Sequence, residues 1–267
     1  MRRARVALGL GLLASLAALA DPPRSGFDLM SPRLQAMQRD DTLNPGMLWV
    51  QDGLARWSQV DGAARKSCAD CHGPTPGAQL HGAASRHPAW DEAEARTVNL
   101  AQRVNLCRQR HQQAAPLAED SEPVLALTAA LSQAARGLPM APPDDPRLGP
   151  ARDEGRRLWS QRMGQLDLSC ADCHDRLAGR RLGGSPVPPG NAAGYPTYRL
   201  ERQTLAPLTR RIRSCLSGVR TEVWPPGPPV RIRYRVPKRC EPRDSLKAPI
   251  EAYPWFCRST MMTFSPS

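Results

Sequence analysis

Aromatic side chains are scarce in this 267-residue chain, where three Phe, four Tyr and six Trp make up 5% of the residues. No segment alternates apolar and polar residues over a useful length, so half-buried strands have no support and the expected fold class is mainly α. Histidine is equally sparse: there are five, and His174 is the only one in the second half. The apolar stretch from Val6 to Leu19 is too short for a convincing membrane span and runs at once into Asp21-Pro22-Pro23. Arg2, Arg3 and Arg5 precede it and Ala18-Leu19-Ala20 offers small residues for cleavage, so residues 1–20 read as a removed export signal. The mature chain is then expected in the periplasm, beginning near Asp21, with no membrane span.

Cysteine is not scarce. Eight are present, and four of them sit in a hexapeptide that occurs twice, Ser67-Cys68-Ala69-Asp70-Cys71-His72 and Ser169-Cys170-Ala171-Asp172-Cys173-His174, 102 residues apart. Cys-x-x-Cys-His is the attachment signature of a c-type haem: both thiols reach one porphyrin edge and the adjacent imidazole ligates iron. A redox dithiol or half a zinc site would also use Cys-x-x-Cys. Two copies, each with its own histidine, select two covalent haems held through Cys68, Cys71, Cys170 and Cys173, with His72 and His174 as axial ligands. Export agrees with this, since c-type haem is attached outside the cytoplasm.

The repeat extends beyond the hexapeptide. Gly53-x-x-x-Trp57-Ser58-Gln59 returns as Gly155-x-x-x-Trp159-Ser160-Gln161 at the same offset, with a small and a large residue one turn apart on a helix face. Two tandem cytochrome c-like domains related by duplication are expected. The division is a segment 21–47 wrapping over the first domain, domain 48–140 with the first haem, a Pro-rich linker 141–146 and domain 147–224 with the second haem. Helices are predicted over Ala89 to Gln113 and Val124 to Ala135, with weaker periodicity around Leu34 to Gln38.

The formal charge is +12, and +9 once three arginines leave with the signal. A basic surface attracts anions, but an exported haem protein with so few aromatics and no stacking motif is a poor candidate for nucleic acid. A small anion or an acidic carrier protein fits better.

Each iron needs a ligand opposite its motif histidine. The first half offers His81, His87, His111 and Met140, whereas the second half has only Met163 and the far C-terminal Met261 and Met262. What both halves share is a third cysteine, Cys107 and Cys215, in basic helical surroundings that favour thiolate. Iron ligation by Cys107 and Cys215 is the favoured reading; structural thiols or a Cys107–Cys215 disulfide are the alternatives.

Longer stretches carry a specific resemblance. They are Ser25-Gly26-Phe27-Asp28-Leu29-Met30-Ser31-Pro32, Met37-Gln38-Arg39-Asp40-Asp41, Asn44-Pro45-Gly46-Met47-Leu48-Trp49-Val50 and both haem motifs. Val104-Asn105-Leu106-Cys107-Arg108, Gly194-Tyr195-Pro196-Thr197-Tyr198-Arg199-Leu200 and Arg211-Ile212-Arg213-Ser214-Cys215 complete them. From about residue 22 to Trp224 the chain resembles the SoxA family, dihaem subunits of the SoxAX cytochromes of bacterial sulfur oxidation. The resemblance implies an L-cysteine S-thiosulfotransferase that joins thiosulfate to a cysteine of the SoxY carrier in SoxYZ and passes two electrons out through haem. It implies a SoxX-like monohaem partner, Cys215 as a ligand that can occur as a persulfide, and Arg211 as a substrate-binding active-site residue. His72 and Cys107 would ligate the first haem, His174 and Cys215 the active one.

Residue chemistry points the same way. Thiosulfate is a dianion, and Arg199, Arg202, Arg210, Arg211 and Arg213 lie near Cys215 in sequence. Arg211 sits at i−4 from Cys215 and shares its helix face, while Arg210 reads as a solvated position. A periplasmic dihaem electron carrier without transferase activity is the alternative function, and a dihaem peroxidase the third. After Trp224 the chain departs from the family pattern: residues 225–267 hold nine prolines, carry a net +5 and lack the expected closing amphipathic helix. Either a frameshift near codon 227 or a real basic extension accounts for them, and resequencing the locus distinguishes the two. Cys240 and Cys257 belong to this tail and receive no role.

Overall fold

Serine and asparagine at helix starts, with proline in the first turn, cut this chain into short helices. In the computed structural model the described residues are 25–77 and 79–223. The export signal at 1–20, Trp224 and the tail with Cys240 and Cys257 lie outside the described residues. Eight α-helices are present among the described residues: α1 Pro32–Arg39, α2 Gly46–Trp57, α3 Ala69–His72, α4 Leu100–Cys107, α5 Glu122–Ala134, α6 Gly149–Ser160, α7 Cys170–His174 and α8 Leu208–Gly218. Three two-stranded antiparallel hairpins join them: β1 Ala89–Asp91 with β2 Arg96–Val98, β3 Arg181–Leu182 with β4 Ser185–Pro186, and β5 Thr197–Arg199 with β6 Thr204–Ala206. The fold is mainly α, as the lack of alternation predicts.

One helix prediction is corrected. Residues 89–98, expected to open a helix running to Gln113, form the β1–β2 hairpin instead. Trp90, Thr97 and Val98 are strand formers, and Asp91 accepts the Glu94 N–H at 2.9 Å to shape the turn. The helix starts only at Leu100, because Asn99 and Gln102 form a reciprocal cap, with N–H···O distances of 3.0 and 2.9 Å. The predictions over Leu34 to Gln38 and Val124 to Ala135 coincide with α1 and α5.

The core lies mostly in the first half. Trp57, Ala84, Leu100, Leu127, Leu131 and Ala135 form one buried cluster, against which Cys68 and Val104 pack. Helices α2 and α5 approach so closely at Gly53 that a Cβ there would lie 2.1 Å from the Ala126 carbonyl oxygen. The small residue of the Gly-x-x-x-Trp pattern is thus required by a backbone contact. The second half joins this core through β6: Leu205, fully buried, packs with Val50, Leu125 and Ala129. Asp120, just before α5, accepts from Arg213 and from Thr209 of α8, the latter at 3.3 Å. Asp41 of the N-terminal segment is gripped by both terminal nitrogens of Arg136, at 2.8 and 2.9 Å.

The duplication is visible in three dimensions with two offsets. Up to the motif histidines, equivalent residues lie 102 apart: Asp61 bridges Lys66 as Met163 bridges Leu168. From His87 to Cys107 the offset is 108. His87-Pro88 and Tyr195-Pro196 are both cis, both lead into a hairpin of the same register, and both hairpins feed a helix carrying the third cysteine. The six additional residues of the second half fall between His174 and Tyr195, the stretch that contains the β3–β4 hairpin.

Candidate functional site

Each motif begins on a serine cap. Ser67 Oγ accepts the Asp70 N–H at 3.1 Å and the Asp70 carboxylate accepts the Ser67 N–H at 2.7 Å. Ser169 and Asp172 repeat the arrangement at 3.1 and 2.8 Å. The hexapeptide therefore encodes its own helical turn, and that turn carries both cysteines and the histidine. The duplicated tryptophans stand beside the motif histidines: ring centroids are 5.8 Å apart for Trp57 and His72 and 5.9 Å for Trp159 and His174. Trp57 Nε1–H donates to the Gly73 carbonyl at 2.8 Å, and Trp159 Nε1–H to the Asp175 carboxylate at 2.7 Å.

His174 is further oriented by the inserted loop, since its Nδ1 lies 2.8 Å from the Pro188 carbonyl. A carbonyl only accepts, so of the two neutral tautomers the contact selects the one with the proton on Nδ1 and the lone pair on Nε2, the form a metal ligand needs. The loop is packed tightly enough that a Cβ on Gly190 would lie 2.2 Å from the Trp159 ring.

The third cysteines come to their own motifs and not to each other. Cys107 lies within electrostatic reach of Cys68 and Cys71, and Cys215 within reach of Cys170. All six described cysteines are free thiols, so the Cys107–Cys215 disulfide alternative is not what folds. The expectation that neighbouring arginines make Cys107 a ready thiolate is corrected: burial pushes its thiol up, and it outweighs the opposing pull of Arg103 and Arg110. Burial, with Cys215 nearby, pushes the Cys170 thiol up to about 11. Both shifts describe thiols without iron; a metal or thioether bond replaces the proton.

The loop ahead of each motif rests on the end of the helix that carries the third cysteine. Gly62 and Gly164 have φ of +67° and +70°, and a Cβ on either would lie 2.0 Å from the Gln112 or Val219 carbonyl oxygen. One difference separates the halves here. After Cys107 the helix widens into a π turn, Arg108–Gln112, whereas α8 continues regularly past Cys215. One more residue therefore separates Cys107 from its loop contact than separates Cys215 from its own.

The arginines sort sharply once their partners are known. Arg199 is paired with Glu201 at 2.7 Å, and Arg213 with Asp120. Arg210, expected on a solvated face, is half-buried and reaches the Leu205 and Asp120 carbonyls at 3.5 and 3.4 Å. Arg211, half-buried on the face of Cys215, has no hydrogen-bond or ion-pair partner for its guanidinium among the described residues. Sequence reading missed Tyr195. Burial pushes its phenol up, Arg211 and Arg199 pull it down and Cys215 pushes it up, so all four groups share one neighbourhood.

Sequence reading also missed Asp91. Its side chain is 2% exposed and receives Arg103 at 2.6 Å and both terminal nitrogens of Arg110 at 2.7 and 2.9 Å. The Arg110 hydrogen bonds, against burial and helped by the Glu94 N–H and Arg103, hold its carboxyl well below the usual carboxylate range. The native value lies below the unfolded one of about 4, so its stabilising contribution is complete above that pH and is lost as pH falls through the native value. Unfolding followed from pH 6 down to pH 2 is expected to show a steep acid limb that flattens in Asp91→Asn.

The donor set fits covalently attached haem. Paired free thiols stand on one helical turn with an adjacent histidine, and a third sulfur lies within reach. His87 Nδ1 bonds the Ala83 carbonyl at 2.8 Å, while its buried Nε2 and the buried Arg108 Nε have no partner among the described residues. Such atoms suit a group carrying acceptors of its own. No helix among the described residues is long and apolar enough to cross a membrane.

Comparison with known proteins adds the following. The family model for the SoxA/TsdA cytochrome c domain matches residues 52–140 and 154–224. The L-cysteine S-thiosulfotransferase subunit SoxA of Rhodovulum sulfidophilum is 31% identical over 219 residues, spanning 81% of this chain and 75% of that protein. The subunit of the same name from Pseudaminobacter salicylatoxidans is 31% identical over 204 residues, 76% and 71% of the two chains. A crystal structure of SoxXA from P. pantotrophus aligns with a TM-score of 0.73 at 27% identity and covers 77% of each chain.

Proposed function

This chain belongs to the SoxA/TsdA cytochrome c family, and from that premise we propose that it is an L-cysteine S-thiosulfotransferase working at Cys215. Two cytochrome domains, 48–140 and 147–224, each hold one haem, the first through Cys68, Cys71, His72 and Cys107, the second through Cys170, Cys173, His174 and Cys215. The partners are a SoxX-like monohaem cytochrome and the SoxYZ carrier, and the reaction takes place in the periplasm.

The reaction joins a carrier thiolate to thiosulfate: R–S⁻ + S₂O₃²⁻ gives R–S–S–SO₃⁻ and two electrons. One S–S bond forms, no bond breaks and no proton is needed once the carrier thiol is ionised. Haem, when bound, supplies the redox-active iron that takes the electrons up. The observation that supports this reading best is the guanidinium of Arg211 one helical turn before Cys215, which has no hydrogen-bond or ion-pair partner among the described residues. A guanidinium fork matches two oxygens of a sulfonate group, and an anion gripped there meets the cysteine sulfur on the same helix face. Of the neighbouring cations, Arg199 and Arg213 are engaged by Glu201 and Asp120 and Arg202 is exposed on the hairpin turn, which leaves Arg211, on the cysteine's own helix face, to fix the substrate.

Arg211→Ala is expected to lower kcat/KM for thiosulfate by about 30- to 150-fold, the cost of one charge-assisted contact of about 2–3 kcal/mol. Arg211→Lys is expected to recover part of this, because it keeps the charge and loses the fork. Arg213→Ala serves as the comparison; its larger relative effect would move the anion site away from Arg211 and defeat the assignment.

A further inference from the structure

The two halves present the same hairpin and helix with opposite charge at two hairpin positions, Asp91 against Arg199 and Glu94 against Arg202, and we infer that the first of these decides which cysteine site admits an oxyanion. In the first hairpin Ala89 faces Val98 and Asp91 faces Arg96; in the second Thr197 faces Ala206 and Arg199 faces Thr204. Asp91 and Arg199 are therefore structural equivalents, and so are Arg103 and Arg211, each four residues before its cysteine.

In the first half the buried Asp91 carboxylate engages Arg103 through one oxygen and Arg110 through both, at 2.6 to 2.9 Å. These are the two guanidiniums that act on Cys107. An incoming anion would have to displace a carboxylate that is already desolvated and held by the Glu94 N–H. In the second half the carboxylate is replaced by a cation. Arg199 is paired with Glu201 and offers Arg211 nothing to bond, so the Arg211 guanidinium stands open among the described residues. Asp91 is a positioning residue that closes the Cys107 site to anions, and Arg199 is the substitution that leaves the Cys215 site open. The duplication gave the chain two cysteine sites on the same scaffold, and the reversal from Asp91 to Arg199, at the position that bonds Arg103 in the first half, assigns anion binding to the second. This inference rests on the reading of the Cys215 site as a thiosulfate site.

Arginine-selective labelling of the haem-loaded protein with phenylglyoxal, mapped by peptide mass with and without thiosulfate, tests it without using turnover. In the wild type Arg211 is expected to label and to be protected by thiosulfate, while Arg103 stays inert. In Asp91→Asn the Arg103 labelling rate is expected to rise about tenfold, the release expected when an ion pair loses its acid, and thiosulfate is expected to suppress it. In Arg199→Asp, which installs the first half's acid in the second, Arg211 labelling is expected to fall by a similar factor. Should Asp91→Asn fail to fold, Arg199→Asp decides alone, because position 199 is half-exposed and its hairpin has the register of one that carries Asp. Arg103 that stays inert in Asp91→Asn, or labels without thiosulfate protection, overturns the inference, as does Arg211 labelling unchanged in Arg199→Asp. Wild-type Arg211 that thiosulfate does not protect overturns the thiosulfate site itself and this inference with it, a result distinct from a failure in the variants alone.

Discussion

Cys215→Ala is expected to abolish thiosulfate transfer to a carrier thiol, with kcat/KM falling about 10³-fold or more, as when one member of a concerted catalytic unit is removed. Cys107→Ala is expected to cost less than about tenfold, because a site whose arginines are held by a carboxylate gives the substrate no anchor. The covalent attachment proposed for Cys170 and Cys173 does not involve Cys215, so haem content measured as the pyridine complex is expected to stay unchanged. Reduction of the haems by a small chemical donor is also expected to persist. That pairing of results separates transferase from electron carrier: a carrier relays electrons with either cysteine removed, whereas a transferase loses turnover with Cys215 alone. A Cys215→Ala protein that still forms the thiosulfonate at the wild-type rate would return the chain to the carrier class.

The second large effect concerns the helix contact beneath the first site. Gly53→Leu is expected to destabilise the protein by about 3 kcal/mol or more, at or beyond the top of the usual range for core overpacking, because the colliding group is backbone and cannot rotate away. A Cβ at position 53 meets the Ala126 carbonyl oxygen at 2.1 Å and its carbon at 2.7 Å, with the Ala130 Cβ at 3.0 Å behind them. Helices α2 and α5 would have to separate, opening the cluster of Val50, Leu125, Ala129 and Leu205 that ties the second half to the first. Thermal unfolding of the haem-loaded protein is expected to shift down by roughly 10 °C or more. Gly149→Ala is the control, since nothing lies within 4 Å of a Cβ there and its backbone is ordinary right-handed helix; its effect is expected to stay within about 0.5 kcal/mol. Equal melting shifts for the two variants would show that the α2–α5 contact is not the constraint.

How far the sequence reaches is clearest at the motifs. Ser67 to His72 and Ser169 to His174 are complete in six residues each, because haem attachment and the serine cap are both chemistry between near neighbours. The Gly-x-x-x-Trp pairs are legible for the same reason, as are the helix face shared by Arg211 and Cys215 and the low strand content. The first hairpin was not legible. Residues 89–98 support helix or strand on local pattern alone, and the Asn99 cap, not any breaker, sets where α4 begins. The 108-residue offset that pairs His87 with Tyr195 and Arg103 with Arg211 was present in the chain, but little identity accompanies it, and only the shared register and the matching turns expose it.

The sequence by itself determined the covalent chemistry, the duplication and the family, because those depend on residue types at fixed short spacings. The tertiary structure decided which charges remain free. Asp91 lies 12 and 19 residues from the arginines it holds, and Asp120 lies 93 from Arg213. Ion pairs of that kind are chosen by how hairpin, loop and helix pack, so folding decides which of the five arginines near Cys215 stay unpaired: among the described residues Arg199, Arg210 and Arg213 are engaged, while the exposed Arg202 and the half-buried Arg211 are not.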